Sequence, residues 1–213
     1  MSADREFGVS VITAVAAVVA LFLSFAQMKL SNRQSLFDRR LDCYLKLEGL
    51  MQLYAESKTM LKHLFEDKII YSLQVEFIML TNNIFLEDVG PVISNPRDDL
   101  LHKKLLSKCA ELKNLSIQIP LIFRGDSAKN ASDFISAYER LLFEMGKYQT
   151  LLDCIKDSMK EIVPKKIYEE TCRINHEPAR RDELLRACSD IEKAYTSMAQ
   201  NGTLENLKRK TRL

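Results

Sequence analysis

Cys172, His176 and Cys188 offer the thiolate and imidazole donors that a zinc ion takes. Zinc sites present such ligands in closely spaced pairs with a fourth partner. Here no CxxC pair exists, and a fourth ligand requires distant Cys43, Cys109 or Cys154 to fold in. These residues therefore read as buried or surface thiols and an isolated histidine, not as a metal site. Asp99 and His102 lie three apart, the spacing of one half of a di-iron helix motif. That motif needs a second copy and two further glutamates facing it. No second Asp/Glu-x-x-His occurs, so both read as solvated surface groups.

The remaining chemistry is sparse. The chain has no phosphate-cradling glycine loop, no HExxH, no GxSxG and no dinucleotide fingerprint, and its 6 glycines are scattered. A hydrolase or transferase is disfavoured because no nucleophile–base pair stands out; a single pocket holding two of His63, His102, Glu76 or Asp153 would revive it. No catalytic residue and no cofactor is expected. Arg124-Gly125-Asp126 spells an adhesion tripeptide but reads as a turn. Thr211-Arg212-Leu213 has the form of a peptide end captured by its carboxylate, a pattern common by chance. A net charge of +2 gives no nucleic-acid groove.

What positions these residues is a helical chain on an apolar stem. Residues 7–26, FGVSVITAVAAVVALFLSFA, carry no charge. About 20 apolar residues are what a helix needs to cross a bilayer. The leader, residues 1–6, contains Asp4, Arg5 and Glu6 and lacks the positive start of a signal peptide, so Ser24-Phe25-Ala26 is not expected to be cleaved. An uncleaved transmembrane anchor is expected over 7–28. Lys29, Arg33, Arg39 and Arg40 form a juxtamembrane cluster, against Arg5 alone on the other flank. Positive flanks stay cytoplasmic, so the N-terminus is expected outside and the bulk of the chain inside. An odd number of scattered cysteines, 5, suits a reducing compartment. Ala16, Ala20 and Ser24 recur every four residues, a small-residue face through which two membrane helices could pack into a homo-oligomer.

Beyond the anchor, Leu, Lys, Glu and Ala dominate, with 5 prolines and no Trp. Such a composition is strongly helical. The fold class is all-α: a transmembrane helix followed by a cytoplasmic antiparallel bundle over 29–202 and a basic tail over 203–213. Apolar spacing places helices at 30–57, with Leu30, Phe37, Leu41, Tyr44, Leu45, Met51 and Tyr54 on one face, and at 58–87. Gly90-Pro91 and Asn95-Pro96 are breaks. A third helix is expected over 98–119, ending before Pro120. A loop follows over 124–130, then a fourth helix over 133–163 with Ser132 as its N-cap. A last helix follows Pro178 and ends near Gly202. The tail, with Lys208, Arg209, Lys210 and Arg212, reads as a solvated end.

The stretch 32–44, NRQSLFDRRLDCY, resembles a segment of small uncharacterised bacterial single-pass membrane proteins, in which an N-terminal transmembrane helix precedes an LFDRRxxxY-like signature and a helical domain. Leu36, Phe37, Asp38, Arg39, Arg40 and Tyr44 match it, and Val75-Glu76-Phe77 is only loosely similar. The resemblance implies a bacterial inner-membrane location and no assigned activity. The expected partners are therefore the lipid bilayer, an unidentified protein and a second copy of the chain. The expected role is a membrane-anchored interaction or sensor protein, with an oligomerising membrane-acting effector as the alternative.

Overall fold

The computed structural model describes residues 3–64, 70–158 and 165–211, with side chains described from residue 17 in the first stretch and 166 in the last. The described residues are all-helical. Helix α1, Ala3–His63, joins the expected anchor and the first bundle helix in 61 unbroken residues. At about 1.5 Å of rise per residue it is about 90 Å long. Residues 17–36 are exposed on every side, and α1 enters the core at Cys43 and Tyr44.

The buried face of α1 is Tyr44, Leu47, Leu50, Met51, Tyr54 and Leu61. Leu30, Leu41 and Leu45, which the apolar spacing assigns to the same stripe, are exposed. Leu47 and Leu50 take the core instead, because the bundle contacts α1 along the 3.6-residue line through Tyr44 and Tyr54. Among the described residues no helix is long and apolar enough to cross a membrane. The side chains of 7–16, half of the run taken as an anchor, lie outside the described residues.

The helix expected over 58–87 is divided. Its first turns belong to α1, Phe65 and Ile69 lie outside the described residues, and α2 covers only Gln74–Thr81. Side chains from the fourth helix satisfy its ends. Gln149 Oε1 accepts from Leu73 N–H at 3.3 Å, and Tyr138 O–H donates to Leu80 O at 2.6 Å. These are the orphan backbone groups every helix end leaves. Pro91 does not break the chain at once. It is accommodated in a 3-10 stretch, Glu87–Ser94, whose Val89, Val92 and Ile93 are buried.

Helix α3, Asp99–Ile122, is capped by Asp98, whose carboxylate accepts from Leu100 N–H and Leu101 N–H at 2.9 and 3.0 Å. It runs through Pro120 instead of ending before it. Proline has no N–H to give the carbonyl four residues back. That carbonyl, of Ser116, accepts the hydroxyl of Ser132 at 2.7 Å. Ser132 is thus no N-cap: helix α4, Asp126–Ser158, begins six residues earlier, and the expected loop over 124–130 shrinks to a turn at 123–125. Gly125, at φ +96°, makes that turn possible.

Three further helices complete the bundle: α5, Lys165–Ile174; α6, Glu177–Gln200; and α7, Thr203–Thr211. Pro178 occupies the first turn of α6 as its type favours. The stretch expected as a solvated tail is α7, held to the bundle by fully buried Leu207 and packed on α1 and α4. Helix α4 is the centre. Ser132 against Ser116 and Gly146 against Leu105 set α3 antiparallel to it. Arg140 with Asp190 at 3.1 Å and Lys147 with Glu183 at 3.6 Å do the same for α6.

Candidate functional site at the exit of α1

Four cations follow the exposed apolar part of α1, and the bundle treats one of them differently. Lys29, Arg33 and Arg39 are exposed. Arg40 is half-buried, and its Nη1 donates to the carbonyl of Lys210 in α7 at 3.1 Å. Lys210 Nζ in turn donates to the carbonyl of Arg124 in the α3–α4 turn. Three segments far apart in sequence are thereby joined where α1 leaves the bundle. The Nε–H of Arg40 is buried and has no hydrogen-bond partner.

These three residues line a cavity of about 450 Å³ together with Leu36, Leu121, Ile122 and Phe123. Phe123 closes its floor, fully buried; Leu121, 77% exposed, forms an apolar rim. Among the described residues none of Arg40, Arg124 and Lys210 is in an ion pair with a carboxylate. Asp42 on α1 is held by Lys46 at 2.7 Å, and Asp126 lies in the first turn of α4; neither lines the cavity. The cations have a partial structural task, because α3 and α7 both end here. A helix C-terminus carries roughly half a negative charge, which offsets part of the charge of these cations.

On the exposed part of α1, Ser24 Oγ donates to the carbonyl of Ala20 at 2.9 Å. The hydroxyl is satisfied within its own helix, and Ala20 and Ser24 share an exposed face. The side chain of Ala16 lies outside the described residues.

The residues weighed for catalysis do not converge. Asp153 lines a second cavity, of about 460 Å³, beside Asn95, Arg97, Asp98 and Asp157, and none of His63, His102 or Glu76 shares that wall. His102 is exposed on α3, and its backbone N–H bonds to Asp98 O at 2.8 Å. His176 takes the left-handed conformation, φ 58°, that opens α6. Cys172 is a buried residue of α5 beside Tyr168, whereas Cys188 faces Tyr54 and Leu61 of α1. Among the described residues no group of three or more His, Cys, Asp or Glu is arranged to hold a metal ion.

Sequence reasoning missed one buried polar cluster. Glu177, 1% exposed, accepts from Tyr148 O–H at 2.5 Å and lies 3.6 Å from Arg181 Nε. Burial, then the Glu177 carboxylate, pushes the Tyr148 hydroxyl far above its usual pKa. The one sequence signal is the tyrosine set into the apolar stripe of α4, since a buried phenol calls for a partner. The cluster ties α4 to the start of α6, where the helix N-terminus favours a carboxylate, and it opens into neither cavity described above. Comparison of the chain with protein-family models, with characterised proteins and with solved structures finds no match.

Proposed function

We propose that this chain is a single-pass membrane protein of the bacterial inner membrane, with its N-terminus outside and its helical bundle in the cytoplasm, that acts by presenting the bundle to a protein partner and not by catalysis. The observation that carries this reading is α1 itself. A single helix leaves the core at residue 43 and continues through 17–36 with no side chain covered by the bundle. Val18, Leu21, Phe22, Leu23 and Phe25 are all more than half exposed on it. A helix apolar on all sides is stable only when something apolar surrounds it. The cations at 29, 33, 39 and 40 then stand where a cytoplasmic membrane surface would be. The resemblance at 32–44 supports the bacterial location.

Cysteine chemistry tests both parts. Cys154 is exposed, and Cys43, Cys109, Cys172 and Cys188 are buried. The full chain is expected to remain with membranes through alkaline carbonate extraction. A membrane-impermeant maleimide should label Cys154 only after the cells are opened. Labelling in intact spheroplasts would reverse the orientation, and release by carbonate would refute the anchor.

A second reading is an oligomeric membrane-acting effector. The exposed face of Ala20 and Ser24, free of competing hydrogen-bond demands, favours it. Ala20→Leu would block close helix approach. It should abolish detergent-resistant oligomers and any growth inhibition under this reading, and change little if the bundle alone carries the function.

A further inference from the structure

We propose that the cavity at the exit of α1 binds the phosphate of an anionic phospholipid headgroup, with Arg40, Arg124 and Lys210 as its cationic wall and Leu36 and Leu121 against the acyl chains. The proposal rests on the membrane reading above. Its own grounds are separate from that reading. The three cations come from α1, the α3–α4 turn and α7, so their convergence is not a run of basic residues but a product of the fold. The helix C-termini offset only part of their charge. A phosphodiester carries one negative charge and acceptor oxygens, and a guanidinium recognises such oxygens through paired N–H donors. Arg40 uses Nη1 on the Lys210 carbonyl and holds a buried Nε–H with no acceptor.

The remaining wall fits a lipid better than a soluble phosphate. Leu121 stands 77% exposed at the rim, and Leu36 is on the last exposed turn of α1 before the core. Both line the cavity where α1 leaves the bundle. A soluble anion would leave these side chains in water, whereas the glycerol and upper acyl region of a lipid would cover them.

The test uses the full chain in detergent, with dioleoylphosphatidylglycerol, dioleoylphosphatidylcholine or inorganic phosphate added, and bound adducts counted by native mass spectrometry. One phosphatidylglycerol should be retained in preference to phosphatidylcholine. Arg124→Gln and Lys210→Gln should each lower that retention roughly fivefold, and together more than tenfold. The Arg124 side chain is exposed, so Arg124→Gln should leave helical content and melting temperature unchanged, whereas Lys210→Gln also gives up the exposed hydrogen bond to the Arg124 carbonyl and should keep helical content with a small drop in melting temperature. Arg39→Gln, an exposed cation outside the cavity, should leave retention as it was. Equal retention of the two lipids, or equal loss from Arg39→Gln, overturns the proposal. Inorganic phosphate bound as tightly as phosphatidylglycerol overturns the assignment to a lipid. Carbonate extraction is read independently: a chain that is extracted but keeps its cavity-dependent lipid preference refutes the anchor and supports the site.

Discussion

The hydroxyl of Ser132 donates to the carbonyl of Ser116 at 2.7 Å, and Ser116 is the residue whose helical hydrogen bond Pro120 cannot make. A proline that ought to end α3 is tolerated because the next helix supplies the missing donor. The two residues should therefore be thermodynamically coupled. Ser132→Ala should cost about 1 kcal/mol, the net worth of a hydrogen bond whose acceptor is left unpaired. In a Pro120→Ala background, where residue 120 has its own N–H, the same change should cost little. Melting temperatures of the four proteins complete the cycle; equal losses in both backgrounds would show that Ser132 does not replace the proline's missing donor.

Gly146 is fixed by a close approach. A Cβ there would lie 2.7 Å from Leu105 Cδ2, and Leu105 is itself buried. Alanine would gain about 1 kcal/mol in helix propensity. Overpacking costs about 1–3 kcal/mol. Gly146→Ala should thus lower stability, by up to about 2 kcal/mol. In a Leu105→Ala protein the clash is gone, and the same substitution should be neutral or stabilising. A destabilisation that persists without Leu105 would place the constraint elsewhere.

Two buried tyrosines should rank by the charge of their acceptors. Tyr148 donates to the carboxylate of Glu177, and Tyr138 to the neutral carbonyl of Leu80. Tyr148→Phe leaves a buried carboxylate with Arg181 Nε at 3.6 Å as its remaining cation. The expected loss is about 2–3 kcal/mol, against about 1 kcal/mol for Tyr138→Phe. Thermal unfolding of both variants, followed by circular dichroism, checks the order.

Alkaline pH should unfold the bundle for a defined reason. Burial raises the hydroxyl pKa of Tyr54, Tyr138 and Tyr148 above the ordinary 10.0. Burial likewise pushes the thiols of Cys109 and Cys188 from 9.0 up to about 12. In each case the folded state holds a proton that the unfolded chain releases. The stabilisation is complete below the unfolded values and falls as pH rises above about 9, more steeply above about 10. Melting temperature should be flat from pH 7 to about 8.5 and decline beyond, with phenolate absorbance appearing together with unfolding. Tyrosine ionisation well ahead of the loss of helix would contradict the burial of these phenols.

The all-α class and the breaks near Pro96 and Pro178 were legible in the sequence because both arise from local effects. Helix propensity and proline geometry act within a few residues. The core face of α4 follows helical spacing in the sequence as well: Phe134, Tyr138, Leu141, Leu142, Met145 and Leu152 are all buried. The reading failed where a local preference was overridden from a distance. Pro120 reads as a stop because its rescue comes from Ser132, on another helix. Ser132 reads as a cap because its true acceptor, the Ser116 carbonyl, lies on another helix. The tail reads as solvated because nothing near Leu207 in sequence reveals its burial against α1 and α4.

The candidate site divides along the same line. Sequence by itself determined the apolar run at 7–26, the cations that follow it and the absence of any catalytic motif, since each is a property of neighbouring residues. It marked Arg40 as one of four equivalent charges. Only tertiary structure singled that residue out, by bringing Lys210 and Arg124 beside it and covering its Nε–H. Convergence of charges separated by 170 positions depends on how α7 docks, and docking is settled by burial summed over the whole core, which no short stretch of chain encodes.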